Sequence, residues 1–138
     1  MLESDPNHGG IVLFHRSQLT RTMIDLPQLS TFEALCMRLS AGGESVTFLT
    51  VYRSGSARAT SLFFDELTRM LESLVFMSGP VIVGGDANIC VEDVDDADVV
   101  RLTAVLDAFD LQQHVVGPTQ PGRHAGYRRH VLRVHCQQ

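Results

Sequence analysis

Apolar residues along this chain fall into short runs separated by polar turns, and the first half of the chain predicts strands. Residues 10–15 and 23–26 are two short apolar runs that favour strands. Residues 45–52 are rich in β-branched and aromatic side chains, which also favours a strand. Residues 32–40 carry apolar groups at a spacing that suits either a helix or a strand. The glycine pair 42–43 lies between these last two segments and predicts that they form a hairpin.

The second half of the chain adds helical periodicity. Residues 60–77 and 96–109 each place apolar side chains on one helical face, and Gly79-Pro80 ends the first of these predicted helices. Residues 81–83 form a short apolar run between the helices, which is typical of a strand buried on both faces. Residues 111–116 predict a further strand. This order of elements predicts a layered α/β domain.

Asp86 and Asn88 follow the 81–83 strand and are the first candidates for chemistry. Gly84 and Gly85 before them predict a sharp turn and a close approach of the backbone to a ligand. Ligands of open α/β sheets bind beyond the carboxyl ends of the strands. A carboxylate and an amide at that position can hold a metal-bound or attacking water near a phosphate. The alternative is an ordinary turn, because Asp and Asn are common turn formers.

Length and composition narrow the class of protein. A chain of 138 residues predicts one domain. No apolar run approaches the ~20 residues of a membrane helix, and the N-terminal residues lack the basic and apolar regions of a secretory signal. Cys36, Cys90 and Cys136 have unrelated spacings, which predicts thiols in a reducing compartment rather than disulfides or a zinc site. We therefore expect an intracellular protein, nuclear or cytoplasmic, without a membrane partner.

Charge is distributed unevenly along the chain, and all eleven basic residues are arginines. Residues 1–122 have a formal net charge of −9, from seven Arg and sixteen Asp or Glu, whereas residues 123–138 have a net charge of +4. A segment with this negative net charge does not form a general nucleic-acid-binding surface. We predict a flexible lead-in at 1–9, a domain at 10–122, and a basic tail at 123–138 outside the fold. The tail either binds phosphates or results from a reading-frame shift near residue 123.

A cluster of acidic side chains lies between the 81–83 strand and the second predicted helix. Residues 92–98 carry five carboxylates, but they lack the glycine and the terminal Glu of an EF-hand loop. Acidic residues favour the N-terminus of a helix. We therefore expect a solvated loop that leads into the helix.

Five short motifs occur in a fixed order, at residues 51–53, 63–67, 83–89, 112–115 and 117–119. Their series resembles the endonuclease/exonuclease/phosphatase superfamily. The form that it resembles most is the endonuclease domain of LINE-type, non-LTR retrotransposons. The resemblance covers about residues 10–122. It implies the fold of that family in part: a four-layered α/β sandwich, with two sheets between layers of helices.

The resemblance also implies an activity, Mg²⁺-dependent hydrolysis of a phosphodiester bond in DNA. It implies that Asp86 orients and deprotonates the attacking water and ligates the metal, that Asn88 binds the phosphate or the water, and that Tyr52 contacts the phosphate. Arg53 and Thr119 are further predicted phosphate contacts. The alternative for Tyr52 is a core aromatic with a satisfied hydroxyl, and the alternative for Arg53 is a surface salt bridge.

The sequence departs from the family at the other catalytic positions. The family's early strands supply an Asn and a metal-ligating Glu, and its last strands supply an Asp and then an Asp-His pair. None of these has a counterpart here, although His124 echoes part of one motif. We therefore favour a broken or incomplete copy of an endonuclease domain, with absent or weak activity. The alternative is a non-enzymatic α/β interaction module, whose exposed sheet edges would favour self-association. A fully active nuclease would need its missing ligands from elsewhere.

Overall fold

A computed structural model describes residues 10–55, 57–89, 91 and 93–114, and the backbone of 134–136. Its strands are β1 (Thr20–Ile24), β2 (Glu33–Ala41), β3 (Glu44–Tyr52), β4 (Val81–Asp86), β5 (Leu111–Gln113) and β6 (Val134–Cys136). Its helices are α1 (Ser61–Leu74) and α2 (Ala97–Ala108). The strands form one six-stranded sheet in the order β1-β2-β3-β4-β6-β5. The predicted α/β class is confirmed, and the described residues supply a sheet layer and a helix layer.

The predicted hairpin is confirmed, and it resolves the ambiguity of residues 32–40 in favour of a strand. β2 and β3 pair antiparallel along their whole length, with Glu33 opposite Tyr52. Gly42 and Gly43 make the turn with φ angles of 58° and 85°, a region that glycine enters without steric cost. β1 pairs antiparallel with β2 and forms an edge of the sheet. β1 corresponds to the strand expected at 23–26, but it begins and ends earlier.

The apolar run at residues 10–15 forms no strand, contrary to the prediction. Val12 and Phe14 are 74% and 92% exposed, so this run contributes little to the core. Its contact with the sheet is a hydrogen bond from the backbone N of Gly10 to Oε2 of Glu33 at 2.9 Å. A strand needs a continuous ladder of backbone partners, and apolar content alone does not provide one.

Helix α1 connects β3 to the parallel strand β4. Thr60 caps it, because its Oγ1 accepts a hydrogen bond from the backbone N of Phe63 at 3.2 Å. The helix predicted at 60–77 is confirmed, although it ends at Leu74. Its buried face joins one face of the sheet in a single apolar core, to which both contribute large side chains: Phe63, Leu67, Met70, Leu71 and Leu74 from the helix, and Leu49, Val51 and Val83 from the strands.

Helix α2 confirms the prediction at 96–109. The carboxylate of Asp96 caps it and accepts from the backbone N of Asp98 at 2.7 Å. The acidic stretch therefore leads into a helix as expected, and Val99, Leu102 and Leu106 carry the helix onto the core. Neither helix of the described residues is long and apolar enough to cross a membrane.

A buried carboxylate on α1 attaches the loop that precedes β2. Glu66 is 3% exposed, and it accepts hydrogen bonds from the backbone N and the hydroxyl of both Ser30 and Thr31, at 2.5 to 2.9 Å. Burial raises the pKa of Glu66, but these hydrogen bonds outweigh that effect and the pKa lies below its ordinary value. We refer to Glu66, Ser30 and Thr31 as the Glu66 anchor.

The sheet carries apolar side chains on both faces, which agrees with the buried strand predicted at 81–83. Leu49 and Val51 belong to the face that packs on the helices. Phe48 alternates with them and so projects from the second face. Its register partners there are Met37 on β2 and Ile82 on β4. The second face is therefore apolar at its centre.

Part of the predicted basic tail lies in the sheet. β6 pairs antiparallel with both β4 and β5, and Val134 lies opposite Val83 on one side and Gln113 on the other. This differs from the expectation that 123–138 lies outside the fold. Valine and cysteine on either side of His135 in the sequence give the alternation that suits a strand. The lead-in at 1–9, Thr119 and the frame shift expected near residue 123 lie outside the described residues.

Candidate active site at the carboxyl ends of β3 and β4

Tyr52 and Asp86 end two adjacent parallel strands and lie directly opposite each other. The register of β3 and β4 pairs Thr47 with Val81 at one end and Tyr52 with Asp86 at the other. Opposite residues of parallel strands point to the same side of the sheet, so both side chains project from the second face. Both are half-buried. The structure thus brings two predicted site residues together at the carboxyl edge, where α/β sheets bind their ligands.

Gly85 explains how β3 and β4 approach so closely at this edge. Its φ is +130°, and a Cβ atom there would lie 1.9 Å from the carbonyl oxygen of Val51. The predicted turn at Gly84 and Gly85 is wrong, because β4 continues through both glycines to Asp86. The close backbone approach is real, but it is made to the neighbouring strand.

The alternative prediction for Asp86 and Asn88, an ordinary turn, is confirmed, and the turn begins where β4 ends. The backbone N of Asn88 donates to Oδ1 of Asp86 at 2.9 Å. Asn88 has a φ of 50°, a left-handed conformation that asparagine tolerates better than most residues. Its side-chain Nδ2 donates to the carbonyl oxygen of Arg53. We refer to residues 86–88 as the Asp86 turn, and these contacts orient both of its polar side chains.

Arg53 lies buried beneath the Asp86 turn, with only 6% of the residue exposed. Its Nε donates to the carbonyl oxygen of Ala87 at 2.7 Å, and its Nη2 donates to that of Asn88 at 3.0 Å. Its Nη1 donates to the carbonyl oxygen of Ala57 at 2.9 Å. The alternative prediction for Arg53, a salt bridge on the surface, is wrong because the residue is buried. Contact with a phosphate stays a prediction.

The charge of Arg53 is buried at a cost that its neighbours offset in part. Burial lowers the pKa of the guanidinium, whereas the carboxylates of Asp98 and Asp86 raise it. The ring of Phe63 lies under the guanidinium, 5.5 Å from Cζ to the ring centre. Sequence reasoning did not connect Asp98 or Phe63 with this site, because each belongs to a different helix and reaches the site only through the tertiary fold.

The acidic stretch fixes the loop that follows β3. Arg58 forms ion pairs with Asp96 at 3.2 Å and with Asp98 at 3.6 Å. The backbone N of Ala59 donates to Oδ2 of Asp98 at 3.1 Å. The sequence predicted these acids to be solvated, and two of them, Asp96 and Asp98, instead bind residues 58 and 59.

Among the described residues, Asp86 is the candidate ligand for a magnesium ion. Asp86 is a single carboxylate, and one of its oxygens already accepts from Asn88. Across the described ranges, no group of three or more His, Cys, Asp or Glu is placed to hold a metal ion. Mg²⁺ requires a near-octahedral set of oxygen ligands. With Asp86 as the protein ligand, waters, substrate phosphates or a second carboxylate would have to complete this set.

Comparison with known proteins relates this fold to an endonuclease domain. No protein-family model and no curated protein matches the sequence. Among solved structures, the endonuclease domain of TRAS1, a telomere-specific non-LTR retrotransposon, matches with a TM-score of 0.60 and 21% identity. The match covers 86% of this chain and 54% of that domain, so the chain spans about half the length of its structural neighbour. This likeness supports the fold.

Two further solved structures are more distant. A Sphaerobacter thermophilus protein described as an acetyltransferase has a TM-score of 0.46 and 16% identity, over 76% of this chain and 60% of that one. Beta toxin from Staphylococcus aureus has a TM-score of 0.36 and 10% identity, over 59% of this chain and 30% of that one. Both scores lie below 0.5.

Proposed function

We propose that this chain carries part of the phosphodiester-cleaving site of a retroelement-type DNA endonuclease domain, and that the part present here has little or no cleavage activity by itself. The observation that carries the proposal is the pairing of Tyr52 with Asp86 at the carboxyl ends of two parallel strands. The likeness to a retrotransposon endonuclease domain supports it.

The three side chains at this edge are suited to parts of phosphodiester hydrolysis. The Asp86 carboxylate would accept a proton from the attacking water, and its hydrogen bond from Asn88 fixes its orientation. Asn88 would offer a neutral amide to the phosphate or the water, and Tyr52 would donate its hydroxyl to a phosphate oxygen. The described residues hold no group of three or more His, Cys, Asp or Glu that could bind a metal and so neutralise phosphate charge, and we therefore expect the chemistry to stall.

Nicking of supercoiled plasmid DNA tests the activity half of this proposal. The wild-type protein would be compared with Asp86→Ala and with Asp65→Ala, which removes an exposed carboxylate on α1. In buffer with Mg²⁺, we expect all three proteins to nick no faster than a protein-free control. Efficient nicking by the wild type and Asp65→Ala, abolished in Asp86→Ala, would show a complete site and overturn the proposal of a partial one.

Binding of a short DNA duplex tests the site half. In a two-dimensional NMR titration, we expect the largest chemical-shift changes at Tyr52, Asp86 and Asn88. We expect these changes to weaken in Tyr52→Phe, which removes the proposed hydroxyl donor to the phosphate, and to persist in Asp65→Ala. Shift changes that are absent, or that lie elsewhere in the described residues, would remove the basis for a phosphate site at this edge.

A second candidate function, an interaction module without catalysis, is favoured by the edge of the sheet. Four of the five residues of β1 are exposed, and the strand pairs only on its β2 side within the described sheet. An exposed edge can pair with another chain. Light scattering after size exclusion would separate the candidates: a concentration-dependent dimer that Thr22→Pro removes supports the module, and a monomer at all concentrations contradicts self-association.

A further inference from the structure

We infer that Arg53 is a positioning residue that fixes the Asp86 turn from beneath, and that it does not contact the phosphate of a substrate. The inference deepens the proposed function, on which it rests in treating the Asp86 turn as part of a site. The contacts themselves are independent of any activity.

The guanidinium binds the Asp86 turn through two adjacent donors. Nε and Nη2 lie on one edge of the planar group, and they donate to the successive carbonyl oxygens of Ala87 and Asn88 at 2.7 and 3.0 Å. On another side, Nη1 donates to the carbonyl oxygen of Ala57 at 2.9 Å. Arginine alone among the basic side chains presents several donors in a fixed fork. A lysine ammonium at this position could not reach carbonyl groups on both sides at once.

The Asp86 turn also binds back to the main chain of the same arginine. The backbone N of Arg53 donates to the carbonyl oxygen of Asp86 at 2.9 Å, which extends the ladder between β3 and β4 by one bond. The side chain of Asn88 donates to the carbonyl oxygen of Arg53. Main-chain and side-chain groups of one residue therefore hold every residue of the turn. Such redundancy is what keeps a non-glycine residue such as Asn88 in a left-handed conformation.

The burial and charge of Arg53 fit positioning rather than substrate contact. The residue is 6% exposed, and its guanidinium lies between the Phe63 ring and the turn. Asp86 and Asp98 are the carboxylates that attract it. To bind a phosphate with two parallel donors, the group would have to leave the carbonyl oxygens of the turn and become exposed. That movement would release the residues that the proposed site needs in place.

The first test measures the conformation of the turn by NMR. We compare the wild type with Arg53→Met, which keeps an unbranched apolar stem over Phe63, and with Arg53→Lys. The matched control is Arg58→Met, an exposed arginine in the same loop. We expect Asn88 to lose its left-handed backbone shifts and its distinct side-chain amide signals in both Arg53 variants, with no rescue by lysine, and to keep them in Arg58→Met. Retention of these signals in a folded Arg53→Met protein would overturn the inference.

The second test uses only the wild-type protein, and so it decides the matter even if the Arg53 variants do not fold. Hydrogen-bonded groups exchange with solvent slowly, and we expect the Nε–H of Arg53 to exchange at least about tenfold more slowly than that of Arg58. When a short DNA duplex or inorganic phosphate is added, we expect any shift of its resonance to be smaller than the shifts at Tyr52, Asp86 and Asn88, and the slow exchange to persist. A saturating shift of this resonance that exceeds those three would indicate phosphate contact and contradict the inference. Absence of any DNA binding would contradict the proposed function while the exchange result still tests the positioning role.

Discussion

Arg53 and Glu66 are both charged and almost fully buried, at 6% and 3% exposure, but their surroundings act on the two charges differently. Glu66 accepts four hydrogen bonds from Ser30 and Thr31, and these outweigh burial, so its pKa is lowered and its charged form is favoured. Arg53 also has a lowered pKa, but for a base this means that burial dominates and its charged form is disfavoured.

The difference separates a stabilising contact from a positioning contact. The Glu66 anchor joins a loop to a helix, and its charged form makes the folded state more stable. The contacts of Arg53 with the Asp86 turn keep a charge in an unfavourable environment, and such environments are common where side chains must be held for chemistry. We therefore expect a change of Glu66 to act mainly on the free energy of unfolding, and a change of Arg53 to act mainly on the geometry of the site.

Replacement of Gly85 by alanine should have the largest effect, because it would disrupt the pairing of β3 with β4 next to Tyr52 and Asp86. The new Cβ would meet the carbonyl oxygen of Val51 at 1.9 Å, and a φ of +130° strains any side chain. We expect a loss of at least about 3 kcal/mol in the free energy of unfolding, or failure to fold. Urea unfolding followed by circular dichroism measures this loss.

Gly43→Ala is the matched control for that substitution. Gly43 also has a positive φ, of +85°, but a Cβ there would meet nothing within 4 Å. We expect this variant to lose about 1 kcal/mol, from backbone conformation alone. Equal losses in the two variants would mean that the contact between β3 and β4 is not as tight as the structure has it.

Features that depend on local sequence were predicted, whereas a contact between strands was not. The hairpin and both helices follow from local periodicity and turn chemistry, and these predictions are confirmed. Short motifs indicated Tyr52, Asp86 and Asn88 as candidates, and the strand register brings Tyr52 and Asp86 together. The role of Gly85 was missed because it depends on Val51, a partner on another strand.

The two buried charges were missed for the same physical reason. Arg53 meets its acceptor Ala87 across 34 positions of the chain, and Glu66 meets Ser30 across 36. A charged side chain on a predicted strand end or helix is usually exposed, and no local pattern marks the exceptions. Such contacts emerge only when the tertiary fold brings distant backbone groups together.

Replacement of Glu66 by glutamine tests whether the Glu66 anchor stabilises the folded state. The new amide group would face hydroxyl and backbone donors that need an acceptor, and buried donors left without one are costly. We expect a loss of about 2 to 4 kcal/mol in the free energy of unfolding at pH 7. Glu72→Gln removes an exposed carboxylate from the same helix, and we expect it to change stability by less than about 0.5 kcal/mol.

The pH dependence of the free energy of unfolding is a second test of the Glu66 anchor. Since the pKa of Glu66 in the folded protein lies below its ordinary value near 4.5, its stabilising contribution is fully present above that pH. The contribution is lost as the pH falls through the lowered pKa of the folded state. We therefore expect the wild type to lose its advantage over Glu66→Gln under acid conditions. A difference between the two proteins that stays constant from pH 7 to pH 3 would contradict the assignment.

Replacement of Arg58 by glutamine should have the smallest effect on the free energy of unfolding. It tests whether a charge must be buried, as at Arg53 and Glu66, to have a large effect. Arg58 lies close to Arg53 in the chain and forms ion pairs with Asp96 and Asp98, but its side chain is 68% exposed. Exposed ion pairs are screened by water and salt, so we expect the free energy of unfolding to fall by less than about 1 kcal/mol. Unfolding in low salt and in 1 M NaCl checks the cause, because screening should remove most of the difference between variant and wild type. A larger, salt-independent loss would mean that the loop after β3 depends on Arg58 for more than a surface ion pair.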